Sequence, residues 1–172
     1  MMENEKKTKY TNIYSWIDVV VCAVLSCVLI FLFLFKVYRV IGDSMVPQLH
    51  DGDRVFTVVP YFGVQQGDVV VTDSYNGVGD PLIKRVIATG GQTVVIDSAT
   101  GAIYVDGVLF QDKVGVTTDT VRGNQVYPLL VPEGSVFLVG DNRIVSLDSR
   151  FTDVGCIPVE DVVAKVVEVP FG

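Results

Sequence analysis

Residues 19–35 form an unbroken apolar run of Val, Leu, Ile, Phe, Ala, Cys and Ser, with no charge on any helical face. At about 1.5 Å per residue the run reaches roughly 25 Å, near the lower limit for a bilayer core, and Ile13, Tyr14, Trp16 and Ile17 can lengthen it. The pattern predicts a transmembrane helix over residues 13–35. A cleavable signal peptide fits less well, because the apolar stretch is too long and Phe35-Lys36-Val37-Tyr38 lacks the small residues of a processing site. A buried core helix fits poorly too, since no face is left for solvent. Residues 1–12 are polar and expected to be loosely ordered, and residues 36–43 read as a connector.

Beyond residue 40 the pattern changes to short runs rich in Val, Ile, Thr and aromatics. They fall at residues 54–59, 68–72, 82–88, 92–96, 102–105, 135–139 and 162–169, each bounded by Gly, Pro, Asp or Asn. No stretch there keeps a 3.6-residue period for three turns. The expected fold is all-β: a compact antiparallel β-barrel or coiled sheet over residues 36–172, preceded by the one helix. Asp106-Gly107, between two extended segments, is the strongest hairpin signal. Residues 113–127 are polar and turn-rich and read as an insertion or outer loop.

Length and charge narrow the classes. A chain of 172 residues has room for one principal domain. Residues 40–172 carry 17 acidic and 8 basic side chains, a balance of −9, so no basic stripe exists to neutralise nucleic-acid phosphates. Lys6, Lys7 and Lys9 precede the apolar run while Lys36 and Arg39 follow it, so charge alone orients the helix weakly. Cys22 and Cys27 lie inside the run, leaving Cys156 without a partner in the β region, where it reads as a small apolar residue. Asp51, Asp53, Asp68, Asp73 and Asp80 stand singly at turns, and Gly90-Gly91 lacks the residues of a phosphate loop. No metal or cofactor is expected.

The candidate chemistry is a serine with a lysine. Ser44 follows Gly42 and Asp43, and Pro47 favours extended backbone before it, which places Ser44 on a loop or strand edge. Lys84 lies inside the strand-like run Leu82-Ile83-Lys84-Arg85-Val86. A serine hydroxyl needs a base, and a lysine serves as one only when neutral, which burial favours. Strict alternation puts Lys84, Val86 and Ala88 on one face, which permits burial of Lys84 without compelling it. Taken singly, Ser44 also suits a turn and Lys84 a surface. His50, the single histidine, reads as a turn residue, six positions beyond Ser44 in an extended segment.

Four blocks in order after the membrane segment alter that balance. They are Ile41-Gly-Asp-Ser-Met-Val-Pro-Gln-Leu49; Gln66-Gly-Asp-Val-Val70; Ile83-Lys-Arg-Val-Ile87 with Gly90-Gly91; and Phe137-Leu-Val-Gly-Asp-Asn-Arg143 with Ser146-Leu-Asp-Ser-Arg150 and Gly155. Together with Val131-Pro-Glu-Gly134 and Gly155-Cys-Ile-Pro158 they resemble type I signal peptidase, the bacterial serine-lysine form, in a minimal single-anchor arrangement like that of Gram-positive bacteria. The resemblance implies a monomeric endopeptidase that removes signal peptides from exported preproteins after small residues at the first and third positions before the bond. It would sit in the cell membrane with its N-terminus cytoplasmic and its catalytic domain outside.

By position, the resemblance makes Ser44 the nucleophile and its backbone N–H an oxyanion donor, and Lys84 the general base. Gly42, Asp43, Met45 and Pro47 would shape the nucleophile loop. Ser146 would hydrogen-bond and orient the lysine, Asp148 and Arg150 would form an ion pair beneath the site, and Asp141, Asn142 and Arg143 a supporting turn. Some relatives draw a second oxyanion hydroxyl from the position of Gly42. Gln48, Ile144, Val145 and Gly90-Gly91-Gln92 depart from the common pattern, so local packing or substrate preference is expected to differ. Tyr61 and Phe62 could dip into lipid or pack in the core. The competing readings are a self-cleaving repressor-type serine-lysine peptidase and a membrane-anchored β domain that binds peptides without cutting them.

Overall fold

Helix α1 spans Met2–Leu34 in the computed structural model, which describes residues 2–59, 63–73, 81–111 and 122–168. The helix therefore starts earlier than residue 13. The segment 2–12, expected to be loose, continues it, because Lys, Glu and Met are good helix formers and propagation from an existing helix is cheap. It also stops one residue earlier than expected, since Phe35 opens strand β1, Phe35–Arg39. Within α1, Ser15–Leu34 is 20 residues long and apolar enough to cross a membrane, with its side chains exposed. The chain divides into two units, Met1–Lys36 and Val37–Gly172. Tyr61 and Phe62 lie outside the described residues, as does most of the polar segment 113–127.

The second unit is almost wholly β. Strands β2 (Arg54–Val58), β3 (Val69–Thr72), β4 (Leu82–Thr89), β5 (Thr93–Ile96) and β6 (Ile103–Val105) fall on the runs expected from the sequence. So do β9 (Ser135–Val139) and β11 (Val162–Glu168). The two-residue strands β7 (Val108–Leu109), β8 (Leu129–Leu130) and β10 (Ile157–Pro158) are too short to leave a pattern. The larger sheet has the order β1-β2-β11-β3-β4-β9-β10 and curls into a half-barrel, and the smaller has the order β7-β6-β5-β8. The β6–β7 hairpin turns at Asp106 and Gly107, whose φ angles of 52° and 79° give the left-handed pair that a two-residue turn requires.

Strand β4 explains why alternation could not place Lys84. It is an interior strand, paired with β3 on one side and β9 on the other, and every residue from Ile83 to Ala88 is buried. A bulge between Val86 and Ala88 breaks the two-residue period, so Ile87 and Ala88 join the same cluster, with Phe137, Val139, Val94 and Ile103. A second cluster of Val40, Met45, Leu49, Val55, Val71, Ile83 and Ala164 fastens the segment after β1 onto the larger sheet. Cys156 packs partly buried against the first cluster, and burial raises its thiol pKa, as suits an apolar role.

Candidate active site

The segment between β1 and β2 is a series of turns, not an extended run. The amides of Gln48 and Leu49 both donate to Met45 O at 3.0 Å, and Gly42 takes φ of +79°. Met45 and Leu49, 1% and 0% exposed, anchor the turn in the core, while Asp43 and Pro47 face solvent. From the other side Asn142 N donates to Ser44 O at 2.9 Å. The Ser44 turn is thus clamped between the larger sheet and the turn after β9.

Lys84 is 3% exposed, and its Nζ donates to Ser44 Oγ at 2.8 Å and to Ile83 O at 3.0 Å. Burial in this interior strand is the largest influence on the amine and lowers its pKa to about 8; Asp148 and Asp141 pull it back up and Arg150 pushes it down. A neutral amine holds a lone pair, and over the same 2.8 Å it can accept the hydroxyl proton of Ser44.

The surrounding charges are paired. Arg85 Nε and Nη2 each meet an oxygen of Asp141 at 2.7 Å, and Arg85 Nη1 donates to Gly67 O at 2.8 Å. Asp148, fully buried, accepts from Arg150 Nε at 2.8 Å and Nη2 at 2.9 Å, and from the amide of Gly140 at 3.0 Å. Arg143 Nε closes the turn on Gly140 O at 3.0 Å. Gly140 is required by space: a Cβ there would lie 2.2 Å from Ser146 Oγ and 2.6 Å from Ser44 O.

Asp141, Asn142, Arg143, Asp148 and Arg150 are all brought together around the pair, but Ser146 departs from its expected role. Among the described residues its hydroxyl is buried without a hydrogen-bond partner, and the second bond of Lys84 Nζ goes to the carbonyl of Ile83. The backbone next to Lys84 reaches the amine first, while Ser146 is packed beneath, against Gly140. Gly42 N–H is taken by Asp51 Oδ1 at 2.8 Å. His50 stays on the surface, its amide bonded to Asp53 Oδ2. Arg85 and Gln48 were missed as functional residues. Gln48 Oε1 accepts from Arg85 Nη2, so this departure from the common pattern ties the Ser44 turn to the Asp141 ion pair. A second strand cation beside Lys84, unable to reach water, was the available signal. Ile144 and Val145 are exposed at 56% and 54%, so they leave core packing unchanged.

A curled β domain holding a serine hydroxyl against a buried lysine amine has the form of a serine peptidase. Comparison with known proteins agrees: residues 13–171 match the family described as Signal peptidase, peptidase S26. The chain is 37% identical over 189 residues to "Signal peptidase I T" of Bacillus subtilis (strain 168), covering 98% of this chain and 93% of that one. It is 34% identical over 164 residues to "Signal peptidase I" of Bacillus licheniformis, covering 87% and 84%. A crystal structure of a signal peptidase I from Enterococcus faecalis V583 shares 27% identity, covering 63% of this chain and 97% of that one, with a TM-score of 0.45. The chain belongs to the signal peptidase family, peptidase S26, and is a serine endopeptidase of the signal peptidase I class.

Two outcomes follow from this geometry. Lys84 has a pKa of about 8 when folded against 10.5 when free, so between those pH values the unfolded chain binds more protons and stability rises with pH. The penalty is complete below pH 8 and gone above 10.5, and amounts to roughly 3 kcal/mol. Denaturant titrations of Lys84→Met and the parent should therefore show the parent gaining on the variant across that window. A constant difference would mean that the amine is not depressed. Gly140→Ala should lose about 1–3 kcal/mol by overpacking, together with most peptidase activity, because the Ser44 carbonyl must move.

Proposed function

We propose that the domain cleaves signal peptides from exported preproteins with Ser44 as nucleophile and neutral Lys84 as general base. The observation that carries this reading is the 2.8 Å contact of Ser44 Oγ with a buried, pKa-depressed amine. Ser44 attacks the scissile carbonyl as its proton passes to Lys84 Nζ, and the resulting ammonium returns that proton to the departing amine. The acyl-enzyme is then hydrolysed by water activated by the same amine. The N–H of Ser44 faces the developing oxyanion, and no side chain at Gly42 adds to it.

Specificity would come from the same turn. Val40, Met45, Leu49 and Ile83, members of one buried cluster that includes the neighbours of Ser44 and Lys84 in sequence, would floor shallow apolar pockets that take alanine-sized side chains. The substrate would lie extended along β1, an edge strand that runs into the nucleophile turn. The family and the apolar helix make the chain a single-pass membrane protein whose substrates are preproteins. The catalytic domain would lie on the extracytoplasmic side, with the N-terminus in the cytoplasm. The exposed side chains of Ile41, Ile144 and Val145 suit an apolar, lipid-anchored substrate. We read the domain as residues 36–172 acting as a monomer.

Detergent-solubilised full chain incubated with a preprotein should release a product of the mass expected for cleavage after a small residue. Ser44→Ala and Lys84→Met should each lose at least about 1,000-fold in kcat/KM while still binding the substrate. The parent's kcat/KM should rise with pH along an acid limb centred near 8. Cleavage by both variants at the parent's rate would reject the assignment, and binding without cleavage by the parent would favour a peptide-binding module.

A further inference from the structure

We propose that residues 122–125 form a strap that fixes Arg150 on Asp148, making Gly123 and Asn124 positioning residues for the Ser44–Lys84 pair. The proposal rests on Lys84 acting as the base. No block of the resembling family includes this segment; it lies near the end of the polar run, residues 113–127, expected to be an outer loop.

The strap grips the Ser146–Arg150 loop from outside. The amides of Asn124 and Gln125 both donate to Arg150 O, at 3.0 and 3.1 Å. The carboxamide of Asn124 then closes a two-point clamp on Thr152: its Nδ2 donates to Thr152 Oγ1 at 2.9 Å, and its Oδ1 accepts from Thr152 N at 2.7 Å. Arg122 touches residues flanking the loop on both sides, donating to Ile144 O while its guanidinium sits 5.9 Å from the centre of the Phe151 ring. Gly123 has φ of +116°, and a Cβ there would lie 2.3 Å from Arg150 O and 2.8 Å from Arg150 C. That contact is with backbone, so no rotamer change relieves it. Ser149, next to Arg150, is tied separately to β9, where it and Leu138 exchange two bonds of 3.0 Å. With β9 holding Ser149 on one side, the strap holds Arg150 on the other, through its carbonyl and Thr152.

That side carries charge that Lys84 feels. Arg150 and Asp148 are 3% and 0% exposed, and they push the amine in opposite directions. If Arg150 draws back, its effect weakens, Asp148 acts with less opposition, and water approaches the amine. All three changes favour the ammonium, which cannot take the proton of Ser44. A strap that only held the fold together would change stability and leave the titration of the reaction untouched.

The test is the pH dependence of kcat and kcat/KM for the full chain in detergent with a signal-peptide substrate. Gly123→Ala and Asn124→Ala should each move the acid limb of kcat/KM upward by about half a pH unit or more and lower kcat below pH 8 by roughly threefold or more, with KM held within about twofold. Thr152→Ser, which keeps the hydroxyl that accepts from Asn124, should follow the parent, and Thr152→Val should shift as Asn124→Ala does. If Gly123→Ala does not fold, the exposed Asn124→Ala decides. Acid limbs superimposed on the parent's, with only the melting temperature reduced, would overturn the strap. Lys84→Met measured alongside separates the failures: full cleavage by that variant rejects the base, whereas its inactivity combined with unshifted strap variants rejects the strap alone.

Discussion

The structure depends on keeping one lysine amine out of water and uncharged beside a hydroxyl. Burial supplies the driving force, yet Asp141 and Asp148 are close enough to draw Lys84 back towards the ammonium form. Each of these carboxylates is held by its own guanidinium, Arg85 for Asp141 and Arg150 for Asp148, and both pairs make two-pronged contacts in the interior. Such pairs contribute little net stability once desolvation is counted. Their value here is electrostatic: a carboxylate already matched to an arginine pulls less strongly on a neighbouring amine. The pattern of paired charges around an unpaired lysine follows from that requirement.

The same requirement accounts for the close packing around the Ser44 turn. Ser44 can receive help only if its oxygen stays within hydrogen-bond reach of a side chain that cannot move freely. Met45 and Leu49 fasten the turn to the sheet, Asn142 holds the carbonyl of Ser44, and Gln48 reaches the Arg85–Asp141 pair. Gly140 lets the second turn approach close enough for this, since any side chain there would strike Ser44 O and Ser146. The glycine is a condition of contact between two turns, not of its own backbone angle.

Much of this was legible before any coordinates. Seven of the β runs declared themselves through Val, Ile and Thr bounded by turn residues, and Asp106-Gly107 fixed a hairpin, because these are local signals. The apolar helix was equally plain, although its polar N-terminal turns were read as loose, since helix propagation does not show in hydropathy. The side to which Lys84 points was not legible, because β4 is covered on both faces and bulged, and alternation carries no information there. Ser44 and Lys84 are 40 positions apart, so only the family resemblance joined them. The contacts of Arg85, Gln48 and Asn124 were not legible because their partners, at positions 141, 85 and 152, are fixed by topology. Ser146 was assigned a bond to the lysine that the neighbouring carbonyl of Ile83 makes instead.

In this mechanism burial must depress the Lys84 amine far enough for its neutral form to be populated near pH 8. The most direct test is the titration of Lys84 itself, followed through the resonance of its Nζ or Cε in the folded, detergent-solubilised chain, with Lys84→Met to assign the signal. The account predicts a midpoint near 8. A midpoint at the ordinary lysine value of 10.5, in a chain that cleaves its substrate at neutral pH, would contradict it.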